Sequence, residues 1–389
     1  MTPVRKVELI SNYVQVVPQS NGAQDIGFGQ NVAVSDSYMA VSAIRYDANG
    51  QSDSGSLYVY PLDDQGVPVE SGMIIIPSDL QAGDLYSDPV KIVGSELITA
   101  SFTKGPGQVY IYNLEAGHQS ETILAPPNGK NGDKFGCSFD MTDDGQYLFI
   151  GACGSDKFNV DAGAVYCYRL VDDGYQLYHL LEPPKDVMDA GFGRYIEIAG
   201  DQLIVGSQNS NSVYIFDILT LQVEDVIAPA SSGAPVMGFG VPIDVYEDVM
   251  VVGARDSFRG LGCGLVYHTA DGTDWTYQGI IIDRSFTSRG LGISVSVGDD
   301  FIAISPNQTT FYGRPDQGSV TLYEYTTTSS GVSLEYNSTI AIDSGQAGDF
   351  FGKRVTIDNG NLYSTALYDD NSNGIDAGSV YVIPLAAIS

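Results

Sequence analysis

The chain has 389 residues and a formal net charge of −30, from 48 Asp and Glu against 18 Lys and Arg. Nucleic acids need a basic patch, so this balance excludes a nucleic-acid partner and argues against anionic membrane surfaces. The chain is 43% apolar, with 45 glycines and 25 tyrosines. This composition indicates a buried core built from many short strands joined by turns.

The first predicted strand lies near the N-terminus, at "VQVVPQS" (Val14–Ser20). Six later segments, beginning with "MIIIPS", likewise end in apolar residues and usually a proline. The residues before Val14 alternate charged and apolar types, without the continuous apolar run of a signal peptide. No stretch approaches the roughly 18 apolar residues of a membrane span. We therefore expect no export signal and no membrane insertion.

From residue 28 onward one pattern repeats seven times. It consists of an aromatic-glycine pair, an alternating strand, a turn, a second apolar strand, a polar loop and a Tyr-rich third strand. Such a fixed period, about 54 residues here, is typical of repeat architectures. The second copy, "DLYSDPV", lacks the aromatic-glycine pair. The seven anchor positions are Gly29, Ser87, Gly136, Gly193, Gly240, Gly292 and Gly352.

This pattern predicts an all-β fold, a seven-bladed β-propeller of four-stranded blades, as a single domain over residues 1–389. Because a fourth strand precedes the first anchor, the ring closes when Val14–Ser20 pairs with Val380–Ile383 and completes the last blade. Radial four-stranded sheets leave few exposed edges. An open solenoid would need polar capping repeats, and neither end of the chain resembles one.

The repeated pattern resembles the FG-GAP repeat of integrin α-subunit propellers and of many bacterial and viral surface proteins. The segments "VVGA" (Val251–Ala254) and "FIGAC" (Phe149–Cys153) keep the Gly-Ala of that signature. The resemblance covers about Val14 to Leu385. It implies a rigid interaction platform that binds a protein or a cell-surface glycan through its loops. It also implies that calcium is often held between the second and third strands.

Two such loops contain the candidate calcium ligands. In the first repeat, Asp47, Asn49 and Asp53 follow Arg45, a residue that cannot coordinate a metal. In the seventh, oxygen-bearing side chains alternate before a glycine, as a hard cation requires, but the last acid stands one residue early for the family's loop. The alternative for each loop is a hydrogen-bonded polar turn. The candidates of the seventh loop are Asp369, Asn371, Asn373 and Asp376.

No catalytic motif is recognised. The chain has three histidines, and no GxSxG elbow, HExxH helix, P-loop or GxGxxG is present. We expect the histidines and Trp275 to serve in packing or on the surface. The four cysteines have no CxxC spacing, so we expect buried apolar side chains, with a disulfide left open. These residues are His118, His179 and His268, with Cys137, Cys153, Cys167 and Cys263.

Two classes of function remain. The first is a non-catalytic binding or structural module, either a virion component (decoration, tail or receptor-binding subunit) or a secreted adhesin. The second is a propeller enzyme acting on polysaccharide, because propellers gather side chains from many blades around one channel. The absence of a catalytic motif favours the first class. We therefore expect a place on a virion or extracellular surface, with protein, glycan or other virion proteins as partners.

Overall fold

The structure is a computed structural model. It describes residues 7–18, 25–69, 71–116, 121–172, 174–183, 191–229, 236–283, 288–298, 300–306, 308–310, 313–329 and 331–388. Nearly all regular structure in these residues is β-strand, and the described residues contain no helix long and apolar enough to cross a membrane.

Seven four-stranded antiparallel units, blades 1 to 7, follow one another along the chain. In each blade the first strand pairs with the second, the second with the third and the third with the fourth. The first blades after the N-terminal strands β1 (Val7–Ile10) and β2 (Val14–Val16) are as follows. Blade 1 is β3 (Phe28–Val34), β4 (Tyr38–Ala43), β5 (Ser56–Pro61) and β6 (Met73–Ile75); blade 2 is β7 (Val90–Val93), β8 (Glu96–Ser101), β9 (Gln108–Asn113) and β10 (Glu121–Leu124).

The next three blades keep the same order. Blade 3 is β11 (Phe135–Met141), β12 (Tyr147–Ala152), β13 (Val165–Val171) and β14 (Gly174–Leu181). Blade 4 is β15 (Phe192–Ala199), β16 (Gln202–Ser207), β17 (Ser212–Asp217) and β18 (Val223–Ile227). Blade 5 is β19 (Phe239–Tyr246), β20 (Val249–Ala254), β21 (Gly264–His268) and β22 (Thr276–Ile281).

Blades 6 and 7 contain the remaining strands and recruit the N-terminal ones. A short ribbon of β23 (Ser288–Arg289) and β26 (Gln308–Thr309) flanks blade 6. Blade 6 is β24 (Ser294–Gly298), β25 (Phe301–Ser305), β27 (Val320–Thr328) and β28 (Gly331–Ile342). Blade 7 is β29 (Phe351–Asp358), β30 (Asn361–Ala366), β31 (Ser379–Pro384) and β2. Three single turns complete the elements: Ala48–Gly50, Ser257–Gly260 and Leu385–Ala387.

The ring closes as the sequence predicts. Strand β2 pairs antiparallel with β31, with Val14 opposite Val382 and Val16 opposite Val380. The first strands of neighbouring blades contact one another all the way round, including β29 of blade 7 with β3 of blade 1. Blades 7 and 1 also share an apolar cluster that contains Val16. The seven-bladed propeller and its closure by the N-terminal strand are therefore confirmed.

One strand has no counterpart in the repeat. Strand β1 lies parallel to β28 and adds a fifth strand to the outer edge of blade 6, with Glu8 opposite Ile340. The N-terminal segment thus joins two blades, because β1 lies on blade 6 and β2 completes blade 7. The repeat does not predict this strand, since only four residues form it and no other blade carries an equivalent among the described residues.

The aromatic-glycine pair has a clear structural reason. All six anchor glycines adopt positive φ, from +80° at Gly193 to +99° at Gly240. Ser87, the exception, also has φ +83°. A side chain is strained in this region, and that explains the recurrence of glycine. This positive φ occurs at, or just before, the start of the first strand of each blade.

In blades 1 to 4 and 7 the preceding aromatic packs edge-to-face on a tyrosine of the third strand in its own blade. In blade 5 the pair is tilted, and blade 6 has Leu291 at this place. Phe28 and Tyr58 have ring centroids 5.3 Å apart, and Phe135 and Tyr166 are 5.1 Å apart. In blade 2, Tyr86 takes this place against Tyr110 at 5.2 Å, so that repeat has lost only its glycine. Such pairs contribute about 0.5–1.5 kcal/mol beyond the area they bury.

Candidate functional site

The loops between second and third strands lie on one face of the ring, the upper face, which includes residues 44–55 of blade 1 and 367–378 of blade 7. In blade 1, the Asp53 N–H donates to Asp47 Oδ1 at 2.9 Å. In blade 7, the Asp376 N–H donates to Asp370 Oδ1 at the same distance. A third loop repeats the contact from Asp161 N to Asp156 Oδ1. A carboxylate therefore closes each of these loops through a backbone hydrogen bond.

This contact shows which residues are equivalent. Asp376 corresponds to Asp53, since both accept positive φ near +50° and both stand two residues before a glycine. Asp370, and not Asp369, corresponds to Asp47. The seventh loop therefore has the same length as the first, and its last acid is at the same place in the turn.

The other predicted calcium ligands already have hydrogen-bond partners. Asp369 is buried, and its Oδ2 accepts from Gln15 Nε2 at 2.8 Å and from Tyr381 OH at 2.9 Å. Asn371 Oδ1 accepts from the Asn373 N–H at 2.9 Å, and Asn373 Nδ2 donates to the Pro18 carbonyl at 2.5 Å. These contacts fasten the loop to the N-terminal strand.

In blade 1, Asn49 lies in the turn at φ +53° between Asp47 and Asp53. Across the described parts of the chain, no group of three or more His, Cys, Asp or Glu side chains is placed to hold a metal ion. The calcium assignment stays a prediction, and the hydrogen bonds describe the loops as polar turns.

Blade 7 brings acids together where blade 2 places a cation. Asp349, in the connection into blade 7, accepts from the Gln346 N–H at 2.5 Å and is 3% exposed. Burial, together with the nearby carboxylates Asp369 and Asp370, raises its pKa to about 7, and the Gln346 N–H opposes the rise. In blade 2, by contrast, Lys104 Nζ lies 3.4 Å from the equivalent Asp84. Nothing in the sequence pattern distinguishes Asp349 from the other acidic residues.

The central channel carries a second constellation, on the positions four residues after each anchor. Lys91 Nζ donates to Asp140 Oδ2 at 2.6 Å and to Glu197 Oε1 at 2.8 Å. Asp244 Oδ2 accepts from the Val297 N–H at 2.7 Å. These groups come from blades 2 to 6 and face one another because the first strands line the channel. The seven equivalent positions are Ala33, Lys91, Asp140, Glu197, Asp244, Ser296 and Thr356.

The charges of this layer do not balance, because three carboxyls share one ammonium. Burial raises the pKa of Glu197 to about 8; Lys91 opposes the rise, and Asp140 and Asp244 add to it. Burial also raises the pKa of Asp244 to about 6. Burial lowers the pKa of Lys91, but the two carboxylates outweigh it, so the Lys91 pKa is raised. The lysine therefore stays charged, and its single positive charge does not fully offset the burial of the carboxyl groups.

A cavity of about 600 Å³ opens from this layer onto the lower face, which carries the turns between first and second strands. Lys91 is 29% exposed because its side chain reaches this space. The lining includes one basic residue and six acidic ones. The acidic residues are Asp36, Glu115, Asp140, Asp143, Glu197 and Asp358.

Trp275, two of the three histidines and all four cysteines lie among the described residues. Trp275 is buried, and its Nε1 donates to Gln202 Oε1 at 2.8 Å. His268 ends the third strand of blade 5 and lies 3.2 Å from Asp248 Oδ2, while His179 is exposed on the outer strand of blade 3. His118 lies outside the described residues. All four cysteines are free and buried, as expected.

Comparison with known proteins confirms the resemblance. A family model described as the FG-GAP repeat matches residues 14–60 and 119–168, and the ring of seven blades is consistent with an FG-GAP propeller. No curated protein matches the chain.

Solved propellers match the fold at low identity. The RRP9 WD40 repeats superpose with a TM-score of 0.60 at 11% identity, covering 95% of this chain and 99% of that one. U3-55K gives 0.59 at 12%, covering 93% and 97%. The Myceliophteria thermophila Cps50 (Swd1) β-propeller domain gives 0.59 at 11%, covering 96% and 98%. At such identities these likenesses concern the fold alone.

Proposed function

We propose that this FG-GAP-repeat propeller is a non-catalytic binding module, and that its acidic lower cavity takes up a cationic group of a partner. The observation that carries the proposal is the lining of that cavity, where six acidic residues stand against Lys91 alone. Pockets with few convergent polar groups and perturbed pKa values are the usual binding sites of a fold.

The charges support a cationic partner. Burial, with Asp140 and Asp244 nearby, raises the pKa of Glu197 to about 8 although Lys91 opposes the rise, so one ammonium does not offset the negative charge of the buried layer. An incoming ammonium or guanidinium would supply further positive charge and form charge-assisted hydrogen bonds. The net charge of −30 would also speed the approach of a basic partner at low ionic strength.

A peptide array with lysine- and arginine-rich sequences, run beside a glycan array, tests this proposal. We expect basic peptides to bind, with affinity falling as salt rises. The double variant Asp143→Asn/Glu115→Gln should weaken binding roughly tenfold, as loss of 1–2 kcal/mol implies. Glu335→Gln, on the outer strand of blade 6, removes the same kind of charge outside the cavity and should bind normally. Equal binding by all three proteins would refute the cavity as the site.

The wider setting that we propose is display on a virion or extracellular surface, as an adhesion or protein-interaction subunit. The FG-GAP match supports this role, because the family's propellers serve as interaction platforms. Two kinds of protein fit this role. One is a phage decoration, tail or receptor-binding subunit, and the other is a secreted bacterial adhesin. Mass spectrometry of purified virions and of the host secretome from the source distinguishes them. Detection in the secretome alone would refute the virion form.

Calcium at the upper-face loops is a separate proposal. Asp47 and Asp370 each use one carboxylate oxygen to close their loop, and the other oxygen is a suitable ligand type for a hard cation. We expect calcium to raise the melting temperature of the wild type and to raise that of Asp47→Asn/Asp370→Asn less. An identical melting temperature in calcium and in EDTA would refute calcium binding.

A polysaccharide-active enzyme is the second candidate. One observation favours it: Glu197, whose pKa burial raises to about 8, and the buried Asp140 both accept from Lys91 Nζ in an open cavity, and paired carboxyl groups are what glycoside hydrolysis requires. A screen of polysaccharides for new reducing ends or unsaturated products tests it. Turnover that Glu197→Gln abolishes would establish this function and overturn the non-catalytic one.

A further inference from the structure

Two of the four cysteines meet across paired strands of blade 3. Cys137 follows the anchor glycine in the bulge of β11, and Cys153 follows the last residue of β12. The Cys153 N–H donates to Cys137 Sγ at 3.2 Å, and the Cys137 thiol lies 3.4 Å from the Gly193 carbonyl. Phe135 pairs with Ala152 at this point, and the two cysteines lie next to this pair, Cys137 in the bulge and Cys153 just beyond β12.

A guanidinium completes the group. Arg194 Nη1 donates to Cys153 Sγ at 3.8 Å. Arg194 follows the anchor glycine of blade 4, at the upper mouth of the channel, and is exposed. Both cysteines are buried, each 8% exposed, and the exposed Arg194 lies between them and the solvent-facing mouth. A thiol next to a cation and to a second thiol has the setting of a reactive cysteine.

The electrostatics of the pair agree with this geometry. The hydrogen bond from Cys137 outweighs burial and, with Arg194, lowers the pKa of Cys153 to about 6. Burial raises the pKa of Cys137 well above its usual range. The other two cysteines behave differently, since burial raises the pKa of Cys167 to about 12 and that of Cys263 to about 11. One chain thus contains the reactive pair and two inert thiols for comparison.

We propose that Cys137 and Cys153 are a redox-active dithiol, which a peroxide converts into a reversible disulfide. The Cys153 thiolate attacks one peroxide oxygen, the O–O bond breaks, and a sulfenic acid forms with release of hydroxide, which takes up a proton as water. Cys137 then attacks the sulfenic sulfur, the S–O bond breaks, and a second water leaves. Two thiols and one hydrogen peroxide give one disulfide and two waters, and an external thiol reverses the change.

Arg194 acts as a positioning residue for this reaction. Its guanidinium holds Cys153 as the thiolate, which is the attacking form. The disulfide would link the first and second strands of blade 3 at the upper mouth and release Arg194 from its sulfur contact. Oxidation would therefore change the charge presented at that mouth.

Differential alkylation of the native, full-length protein tests the proposal without any variant. After hydrogen peroxide, we expect two of the four thiols to be lost and peptide mapping to show a Cys137–Cys153 link that dithiothreitol removes. Before oxidation, Cys153 should be alkylated at pH 7 at least about tenfold faster than Cys167, because its thiolate fraction is larger. Four intact thiols, or a link that involves Cys167 or Cys263, would overturn the proposal.

Variants assign the roles. Cys137→Ala should stop at a sulfenic acid on Cys153 that dimedone traps, while Cys153→Ala should lose its peroxide reaction. Arg194→Gln should shift the pH profile of Cys153 alkylation to higher pH, which a merely structural role would not do. Cys167→Ala is the matched control and should oxidise like the wild type. Equal peroxide rates in the wild type and Cys153→Ala would contradict the assignment of the nucleophile.

Discussion

Alanine variants of two glycines at the start of blade 7 distinguish the cost of backbone strain from the cost of a steric clash with a neighbouring blade. Gly348 has φ +93° and Gly352, the anchor, has φ +90°. A Cβ on Gly348 would meet nothing within 4 Å. A Cβ on Gly352 would lie 2.5 Å from the Ser319 carbonyl oxygen and 3.0 Å from Ser305 Cβ. The two alanine variants thus share the dihedral and differ in the space available.

The magnitudes follow from this contrast. An L-residue at positive φ costs about 1–2 kcal/mol, and alanine recovers about 0.4–1 kcal/mol through the stiffer unfolded chain. We therefore expect Gly348→Ala to destabilise by about 1 kcal/mol. Gly352→Ala adds the collision with a backbone oxygen, which costs about 1–3 kcal/mol more. We expect a total loss of about 2–4 kcal/mol for the anchor.

Urea denaturation followed by tyrosine and tryptophan fluorescence gives both free energies of unfolding. The unfolding slope m should stay the same, so that the midpoint alone reports the change. Equal destabilisation by the two variants would refute the reasoning, because the positive φ would then explain the anchor glycine without any close approach between blades.

Three further predictions concern charge and closure. Lys91→Gln leaves two carboxyls without their cation and should cost roughly 3 kcal/mol in urea denaturation, less at pH 6 than at pH 9 because protonation relieves the acids. Asp349 has a pKa of about 7 against an ordinary 3.8, so its contribution to stability is lost as pH rises from about 4 to 8. Asp349→Asn should flatten that decline, and Asp133→Asn, in the same turn of blade 3, should not. Deleting residues 1–20 removes β2 as well as β1 and should lower the melting temperature and cause aggregation, whereas deleting 1–12 should cost less. An unchanged melting temperature after the longer deletion would contradict closure by β2.

The architecture could be predicted because each blade repeats a local physical requirement. The anchor needs positive φ, so glycine recurs, and the ring before it needs a tyrosine partner, so the third strand is Tyr-rich. The strand at Val14 is of the fourth type, but no third strand precedes it in the chain. It therefore had to pair with the third strand of the last blade, which closes the ring. These signals are periodic, so the repeat remains recognisable although Ser87 replaces one anchor glycine.

The sites were harder to predict, because they depend on what differs between repeats. Lys91, Asp140 and Glu197 lie four residues after their anchors. The repeat aligns these positions, but it does not indicate that they matter more than any other. Only the ring geometry brings carboxyl groups of blades 3 and 4 into contact with the Lys91 ammonium of blade 2. The sequence pattern predicts Asp369, with the alternating Asn residues, as a calcium ligand, and it does not indicate that Asp370 closes the seventh loop. The hydrogen bond from Asp376 N to Asp370 Oδ1 places the turn correctly.

The pairing of β2 with β31 has a consequence for the order in which the protein assembles. Gln15 and Tyr381 face each other across this ladder although they are 366 positions apart in the chain. The segment that emerges early from the ribosome must therefore wait until the final blade has been synthesised before it can pair. Closing so long a loop is entropically costly and delays folding. During that wait the edge of β31 is open to other chains, so assembly at high expression is the stage at which this propeller is most exposed to misassociation.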